Sequence, residues 1–350
     1  MLEQTAPKLR HSSDSEPGFT RQRKGTHWAY FDQQGERITD RETIDRLNAL
    51  GLPPAYSNAW FCADANGHLQ ATGIDARGRK QYRYHADFRA GAEASKFAGL
   101  LEFGKALPKL RRAVDKHLNQ RKLSRETVLA AVVRLLDTAY LRIGNEQYAK
   151  ANKSFGATTL LCRHVSGTGE RMKMRFTGKH GIVREVAITD RRLGNVVRRC
   201  QELPGQALFQ FVDGEGDPRG ISSADVNDYI RQATGGEFTA KHFRTWGASV
   251  IAFETLLKAK EDQRISVNTM IEPVAEALGN TVAISRKSYV HPALVQAAKE
   301  RPRNPLPGIE RPRPRKWLSS AEAGLIEFLK SQARPARKPR KTASKLAQAA

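Results

Sequence analysis

Residues 124–143 read SRETVLAAVVRLLDTAYLRI. Val128, Val132, Leu135, Leu136, Ala139 and Ile143 recur at i, i+4, i+7, i+8, i+11 and i+15, the spacing of one helix face. Ser124 stands where an N-cap belongs and Glu126 falls in the first turn. The pattern predicts an amphipathic helix carried as far as Ile143. The period then changes. Residues 171–188, RMKMRFTGKHGIVREVAI, alternate strictly at first, with Met172, Met174 and Phe176 on one face and Arg171, Lys173 and Arg175 on the other. Ile182 to Ile188 supplies the return strand, and the turn Thr177 to Gly181 places Lys179 at the tip of a hairpin. A hairpin inserted among helices makes the fold class α+β.

Helical signals continue on the carboxyl side at Ser223 to Thr234, Ala240 to Ala259 and Thr269 to Leu278. The last is started or interrupted by Pro273 and closed by Gly279. A final helix is expected from after Ser285 to about Lys299. On the amino side the helical pattern begins near Phe88. Before it lie short strands at Trp28 to Phe31, Ala59 to Ala63 and His68 to Thr72, with a helix at Arg41 to Leu50 ended by Gly51 and Pro53. Residues 1–18 mix Ser, Pro, Gly and both charges without periodicity and read as a flexible arm. Residues 301–350 hold 13 lysines and arginines against three acids, with Pro302, Pro305, Pro307, Pro312 and Pro314. They read as a basic, Pro-rich, disordered tail in which only Ser319 to Lys330 has helical character. The expected organisation is an arm (1–18), a small β-rich domain (19–90), a mainly α-helical domain (91–300) and the tail (301–350).

The 350 residues carry 59 Lys+Arg against 36 Asp+Glu, a net charge of +23, with 39% hydrophobic residues. A core is affordable, and the cationic surface calls for an anionic partner, most simply nucleic acid bound through its phosphates. No apolar run approaches the roughly 18 residues that span a bilayer, and the first 18 residues have no apolar leader segment, so a cytoplasmic protein without membrane contact is expected. Cys62, Cys162 and Cys200 are far apart and in no C-x-x-C pair, which suggests neither disulfides nor zinc. No G-x-x-x-x-G-K-[ST] loop is present to cradle a nucleotide. The residues that stand out are Arg142 in Arg-Ile-Gly-Asn, Lys179, Arg244 in Lys-His-Phe-Arg-Thr-Trp-Gly, and Tyr289 in Ser-Arg-Lys-Ser-Tyr.

From about Phe19 to Val295 the sequence resembles the bacterial and poxvirus-like type IB DNA topoisomerases, whose catalytic fold is that of the tyrosine-recombinase superfamily. The motifs occur in order: Gln70 to Tyr84, Leu135 to Glu146 around Arg142, Phe155 to Val165, Phe176 to Lys179, Lys241 to Gly247, and Leu278 to Tyr289. The resemblance implies a C-shaped clamp acting as a monomer on double-stranded DNA at the nucleoid, relaxing supercoils of either sign without metal or nucleotide cofactor. It implies that Tyr289 is the nucleophile and forms a 3′-phosphotyrosyl link. Arg142 and Arg244 would clamp the phosphate oxygens, because guanidinium forks bind two oxygens each and have no proton to lose at neutral pH. Lys179 would be the general acid for the leaving 5′-oxygen, with Lys241 a second lysine near it. Asn280 would donate a hydrogen bond to a phosphate oxygen, an amide being unable to serve as acid or base. Arg79, Lys80, Gln81, Tyr82, Arg83 and Tyr84 would contact DNA, with Gln81 and Arg83 on one strand face and Tyr82 and Tyr84 on the other.

Val282 departs from the family, standing where many relatives have Pro. A site-specific tyrosine recombinase is the main alternative, since it shares the Arg, Lys, Arg, Tyr chemistry. Such enzymes usually carry His-x-x-Arg at the second arginine, where this chain has Lys241, and the β-rich amino-terminal region also favours the topoisomerase. A non-catalytic basic DNA-coating protein would account for the charge but not for the spacing of the five motif residues.

Overall fold

The computed structural model describes residues 9–25, 27–168, 171–258, 264–300, 306 and 312–333. The chain divides into two compact units, one ending at Ala98 and one beginning at Gly99. In the first, β1 (Thr20–Lys24) and β2 (His27–Phe31) pair as an antiparallel hairpin. After α1 (Arg41–Ala49), strands β3 (Ser57–Phe61), β4 (Leu69–Ile74) and β5 (Lys80–Tyr84) form an antiparallel sheet in that order, and α2 (Ala86–Ala98) follows. Asp40 caps α1, its carboxylate accepting from the Thr43 amide at 2.8 Å. The core is Tyr30, Leu47, Leu52, Phe61 and Ala71, with Phe19 and Trp28 packed against it.

The expected arm is pinned where it is described. Ser12 is buried, donating to the Leu69 carbonyl at 3.0 Å and accepting from the Leu69 amide at 3.1 Å. The Trp60 indole donates to the Glu16 carbonyl at 2.9 Å, and Asp14 forms an ion pair with Lys80. The segment is held because the Leu69 backbone offers the Ser12 hydroxyl a partner for both its roles, which composition does not reveal. Residues 1–8 lie outside the described residues.

The second unit runs α3 (Leu100–Leu118), α4 (Arg125–Ala139), α5 (Glu146–Asn152), β6 (Val165–Ser166), β7 (Lys173–Thr177), β8 (Val183–Ala187), α6 (Arg191–Gln201), β9 (Gln210–Val212), β10 (Pro218–Gly220), α7 (Ser223–Thr234), α8 (Ala240–Leu257), α9 (Val267–Leu278), α10 (Val282–Ser288), α11 (Pro292–Glu300) and α12 (Ser320–Ala333). Strands β6, β7 and β8 form an antiparallel sheet, and Met172, Met174 and Phe176 are buried as the alternation requires. Helix α4 is capped by Ser124 and buried at every position from Thr127 to Val133, so it is a central core helix rather than an amphipathic surface one. Pro273 sits inside α9, which starts before it at Ser266, whose hydroxyl caps the helix.

Residues 312–333 correct the expectation of a disordered tail. Arg111 of α3 donates to both oxygens of Asp137 at 2.7 and 2.8 Å and to both oxygens of Glu322 at 2.7 and 2.9 Å. Glu322 also accepts from the Trp246 indole of α8 at 3.1 Å, and the Trp317 indole donates to Asp115 at 2.8 Å. Leu325, Ile326, Phe328 and Leu329 bury their side chains, so α12 belongs to the core of this unit. Residues 301–305, 307–311 and 334–350 lie outside the described residues. Among the described residues no helix is long and apolar enough to cross a membrane.

The Glu322 carboxyl lies below its usual value: burial pushes it up, and its bonds to Arg111, Ser319 and Trp246 pull it down further. A depressed carboxyl contributes stability that is fully present above its unfolded value and is lost as pH falls through its folded one. Glu322→Gln is expected to lower the stability of the chain by about 3 kcal/mol at pH 7, since one partner of a buried pair is removed. Denaturant titrations should show that difference shrinking as the pH falls below the ordinary carboxylate range.

Candidate active site

Helix α4 does not continue to Ile143. Tyr140 takes up the left-handed conformation (φ 51°) and ends it, so Arg142 lies on the loop beyond. The Tyr140 ring packs where a Cβ on Gly247 of α8 would sit, and burial pushes its phenol up to about 12. Two motifs then lock together. The Ala157 amide donates to the Arg142 carbonyl at 2.8 Å, and the Thr158 amide and hydroxyl donate to the Ile143 carbonyl at 2.7 and 2.9 Å. A Cβ on Gly156 would lie 2.6 Å from both the Arg142 oxygen and the Gly144 nitrogen, so only glycine permits this approach.

Arg244 is 5% exposed on α8. Its Nη1 donates to the Tyr140 carbonyl at the end of α4, and its Nη2 to the Leu278 carbonyl at the end of α9 at 3.2 Å. Both are carbonyls at helix carboxyl ends, where the partial charge is negative. Two helix ends therefore take the place of a carboxylate. Burial pushes the guanidinium down to about 10, with Tyr289 raising it and Arg142 and Arg184 lowering it, so it remains charged at neutral pH.

The chain reverses at Gly279 (φ 61°) and presents Asn280. Arg142 Nη2 donates to Asn280 Oδ1 at 2.9 Å. Because a guanidinium only donates, the amide must turn its oxygen to Arg142, which leaves Asn280 Nδ2 buried without a hydrogen-bond partner; Arg244 Nε is likewise unpartnered. Buried donors are normally satisfied, so two unmatched ones beside two cations describe a seat for an anion.

The single helix expected after Ser285 is two. Thr281 caps α10, its hydroxyl accepting from the Ile284 amide at 3.2 Å, and Tyr289 leaves it at φ −132°, ψ −33°. Pro292 then opens α11, as proline suits a first helical position. Ser249 of α8 fixes the break, its hydroxyl accepting from the His291 amide at 3.1 Å. The Tyr289 ring lies against Arg244, whose Cζ is 4.8 Å from the ring centroid. Burial pushes the Tyr289 hydroxyl up, but the charges and hydrogen bonds of Arg244 and Arg142 hold it below the usual phenol value.

Arg142, Arg244, Asn280 and Tyr289 are thus brought together. Lys179 is exposed at the hairpin tip and Lys241 is exposed at the start of α8, one turn before Arg244. In the first unit, Arg79 and Gln81 engage Asp75, Arg79 at 2.8 Å and Gln81 at 2.9 Å, and Lys80 engages Asp14. Arg83 reaches the Gly51 carbonyl at 3.4 Å. What β5 offers to solvent is Lys80, paired with Asp14, and Tyr82, 45% exposed and stacked on Tyr84, with Phe88 beyond. The division of faces follows the strand alternation, while most of the expected charge is already paired. Tyr140, Ser249 and Arg184 are site residues that the sequence did not signal, because each acts through a backbone group that is distant in sequence.

Residues 85–304 match the family model described as eukaryotic DNA topoisomerase I, catalytic core, and residues 27–75 match that of the bacterial DNA topoisomerase IB N-terminal domain. The chain belongs to the type IB DNA topoisomerase family and is an isomerase of DNA topology. It is 32% identical over 286 residues to the DNA topoisomerase 1B of Acanthamoeba polyphaga mimivirus, covering 78% of this chain and 85% of that one. It is 21% identical over 253 residues to the DNA topoisomerase 1B of Vaccinia virus (strain Copenhagen), covering 70% and 77%. To the DNA topoisomerase 1 of Mycosarcoma maydis it is 26% identical over 225 residues, covering 58% of this chain and 21% of that one.

Gly156→Ala forces the Arg142 loop to shift by several tenths of an ångström or more. DNA topoisomerase activity is expected to fall about 100-fold, the cost of displacing a site residue by about 1 Å, while the helical circular dichroism is kept. Val282 occupies the first position of α10, where proline fits. Val282→Pro should raise stability by about 0.5 kcal/mol in a denaturant titration and leave activity intact.

Proposed function

We propose that the chain relaxes positive and negative supercoils by cutting one strand of duplex DNA, letting it rotate and resealing it. The Tyr289 oxygen attacks a backbone phosphorus and the bond to the 5′-oxygen breaks, leaving a 3′-phosphotyrosyl link and a 5′-hydroxyl. The phenolic proton passes to solvent and Lys179 gives one to the departing oxygen, which is worth roughly 10²- to 10⁴-fold. Resealing is the reverse. One phosphodiester is exchanged for another, so no nucleotide is consumed.

The observation that carries this reading is the meeting of Arg142 and Arg244 at the Tyr289 hydroxyl, with Asn280 held on Arg142 and its amide nitrogen unpartnered. In the five-coordinate transition state, charge gathers on the non-bridging oxygens, where two fixed guanidiniums and an amide stabilise it without reorganising. Lys241 adds positive charge near the leaving group. The net charge of +23 supplies phosphate affinity, and the Tyr82 and Tyr84 faces, with Arg79, Lys80, Gln81 and Arg83, grip the duplex from the first unit. The enzyme works as a monomer in the cytoplasm at the nucleoid, and neither metal nor nucleotide takes part.

The test is relaxation of negatively and positively supercoiled plasmid in EDTA without ATP. The wild-type chain should relax both and form a covalent adduct with the cut strand. Tyr289→Phe should bind DNA with unchanged affinity and give neither product nor adduct. Plasmid binding by both proteins with relaxation by neither would overturn the reading.

A further inference from the structure

Arg184 belongs to none of the motifs that carry the family resemblance, yet it lies among them. In the β7–β8 hairpin it pairs opposite Phe176, five residues beyond Lys179, and β8 is the outer strand of its sheet. The hairpin tip is held by its own turn, with Gly178 donating to the Ile182 carbonyl at 2.8 Å, while Ile182 and Val183 stand in solvent. The Arg184 side chain ties β8 to the helical part of the unit. Its Nη2 donates to the Ala277 carbonyl in the last turn of α9 at 2.9 Å. The rest of the guanidinium fills the space where a Cβ on Gly279 would sit, one residue before Asn280.

Arg184 is half-buried and sits close enough to Arg142 and Arg244 for their charges to oppose one another. Among the described residues no ion pair joins any of the three to a carboxylate. A cation kept in that company is held for a purpose other than neutralising an acid.

We propose that Arg184 is a positioning residue for the leaving-group step, tying the hairpin that carries Lys179 to the end of α9 that carries Asn280. The inference rests on the reading of Lys179 as the proton donor. An exposed lysine at the tip of the β7–β8 hairpin approaches the 5′-oxygen as that hairpin is held, and the Arg184 bond anchors the hairpin to the helix end that carries Asn280. The plainer role is a cation capping the carboxyl end of α9, which would affect fold and cleavage alike, whatever the leaving group.

A leaving group that needs no proton separates the two. In a duplex whose cleavage site has been mapped with the wild-type chain, the 5′-bridging oxygen is replaced by sulfur. A thiol ionises near 8.5 and departs unprotonated, whereas an alkoxide, like hydroxide from water with a pKa near 15.7, does not. Single-turnover cleavage by Arg184→Ala is expected to be about 100-fold slow on the oxygen duplex and within about threefold of wild type on the sulfur duplex. Lys179→Ala should behave in the same way, and Arg142→Ala should be slow on both. Arg184→Lys, which can still donate to Ala277, should recover part of the loss.

If Lys179→Ala is rescued by sulfur and Arg184→Ala is not, the positioning role is wrong and Arg184 is a helix cap or phosphate ligand. If Lys179→Ala is itself not rescued, the proton-donor reading fails and takes this proposal with it. Thermal melts of the Arg184 variants within a few degrees of wild type are expected; a collapse of the fold in both Arg184→Ala and Arg184→Lys would also count against it.

Discussion

A buried guanidinium without a carboxylate is the constraint around which the second unit is arranged. Arg244 is held by the last carbonyls of α4 and α9, so two helices must end at the right place and aim their carboxyl termini at one point. A carboxylate partner would have neutralised the charge; helix ends supply only about half a charge each and leave the cation able to attract an anion. The left-handed residues Tyr140 and Gly279 follow from this, since each stops its helix where Arg244 needs a carbonyl. Arg142 and Asn280 then fall just beyond those stops, which is why both lie on short loops and can face each other at 2.9 Å.

Holding a cation in this manner is costly unless the framework is rigid, and α12 contributes to that rigidity. Glu322 joins α3, through Arg111, to α8, through Trp246, two residues from Arg244. Trp246 in turn occupies the space that Gly104 of α3 leaves open, so α3 and α8 approach closely at that level. The charges in this network are paired and hydrogen-bonded, as buried charges must be, in contrast to the unpaired arginines a few residues away. One part of the unit spends its acids on structure while the other is kept free of them.

Much of this was legible along the chain. The helical period of residues 124–139, the Met172, Met174, Phe176 alternation and the boundaries of α7 are local properties, and local rules located them. Features that depend on a partner distant in sequence were not legible. Ser12 reads as part of a polar arm until β4 offers it a carbonyl and an amide, and Glu322 reads as a tail acid until Arg111 faces it. The break at Tyr289 was missed because Pro292 signals a helix start as readily as a kink, and what fixes the break is a hydroxyl on α8.

The α+β class, the hairpin with Lys179 at its tip, the basic surface and, through ordered motifs, the family and its six candidate catalytic residues are legible along the chain alone. Those are consequences of periodicity, composition and residue identity, all of which survive without coordinates. It takes the folded chain to show that Arg142, Arg244, Asn280 and Tyr289 meet, that β5 presents aromatics while its charges are largely paired, that residues 312–333 are core, and that Arg184 links hairpin to helix. Most of these depend on contacts between backbone or side-chain groups tens to hundreds of residues apart, where donor must meet acceptor in space and no spacing rule applies.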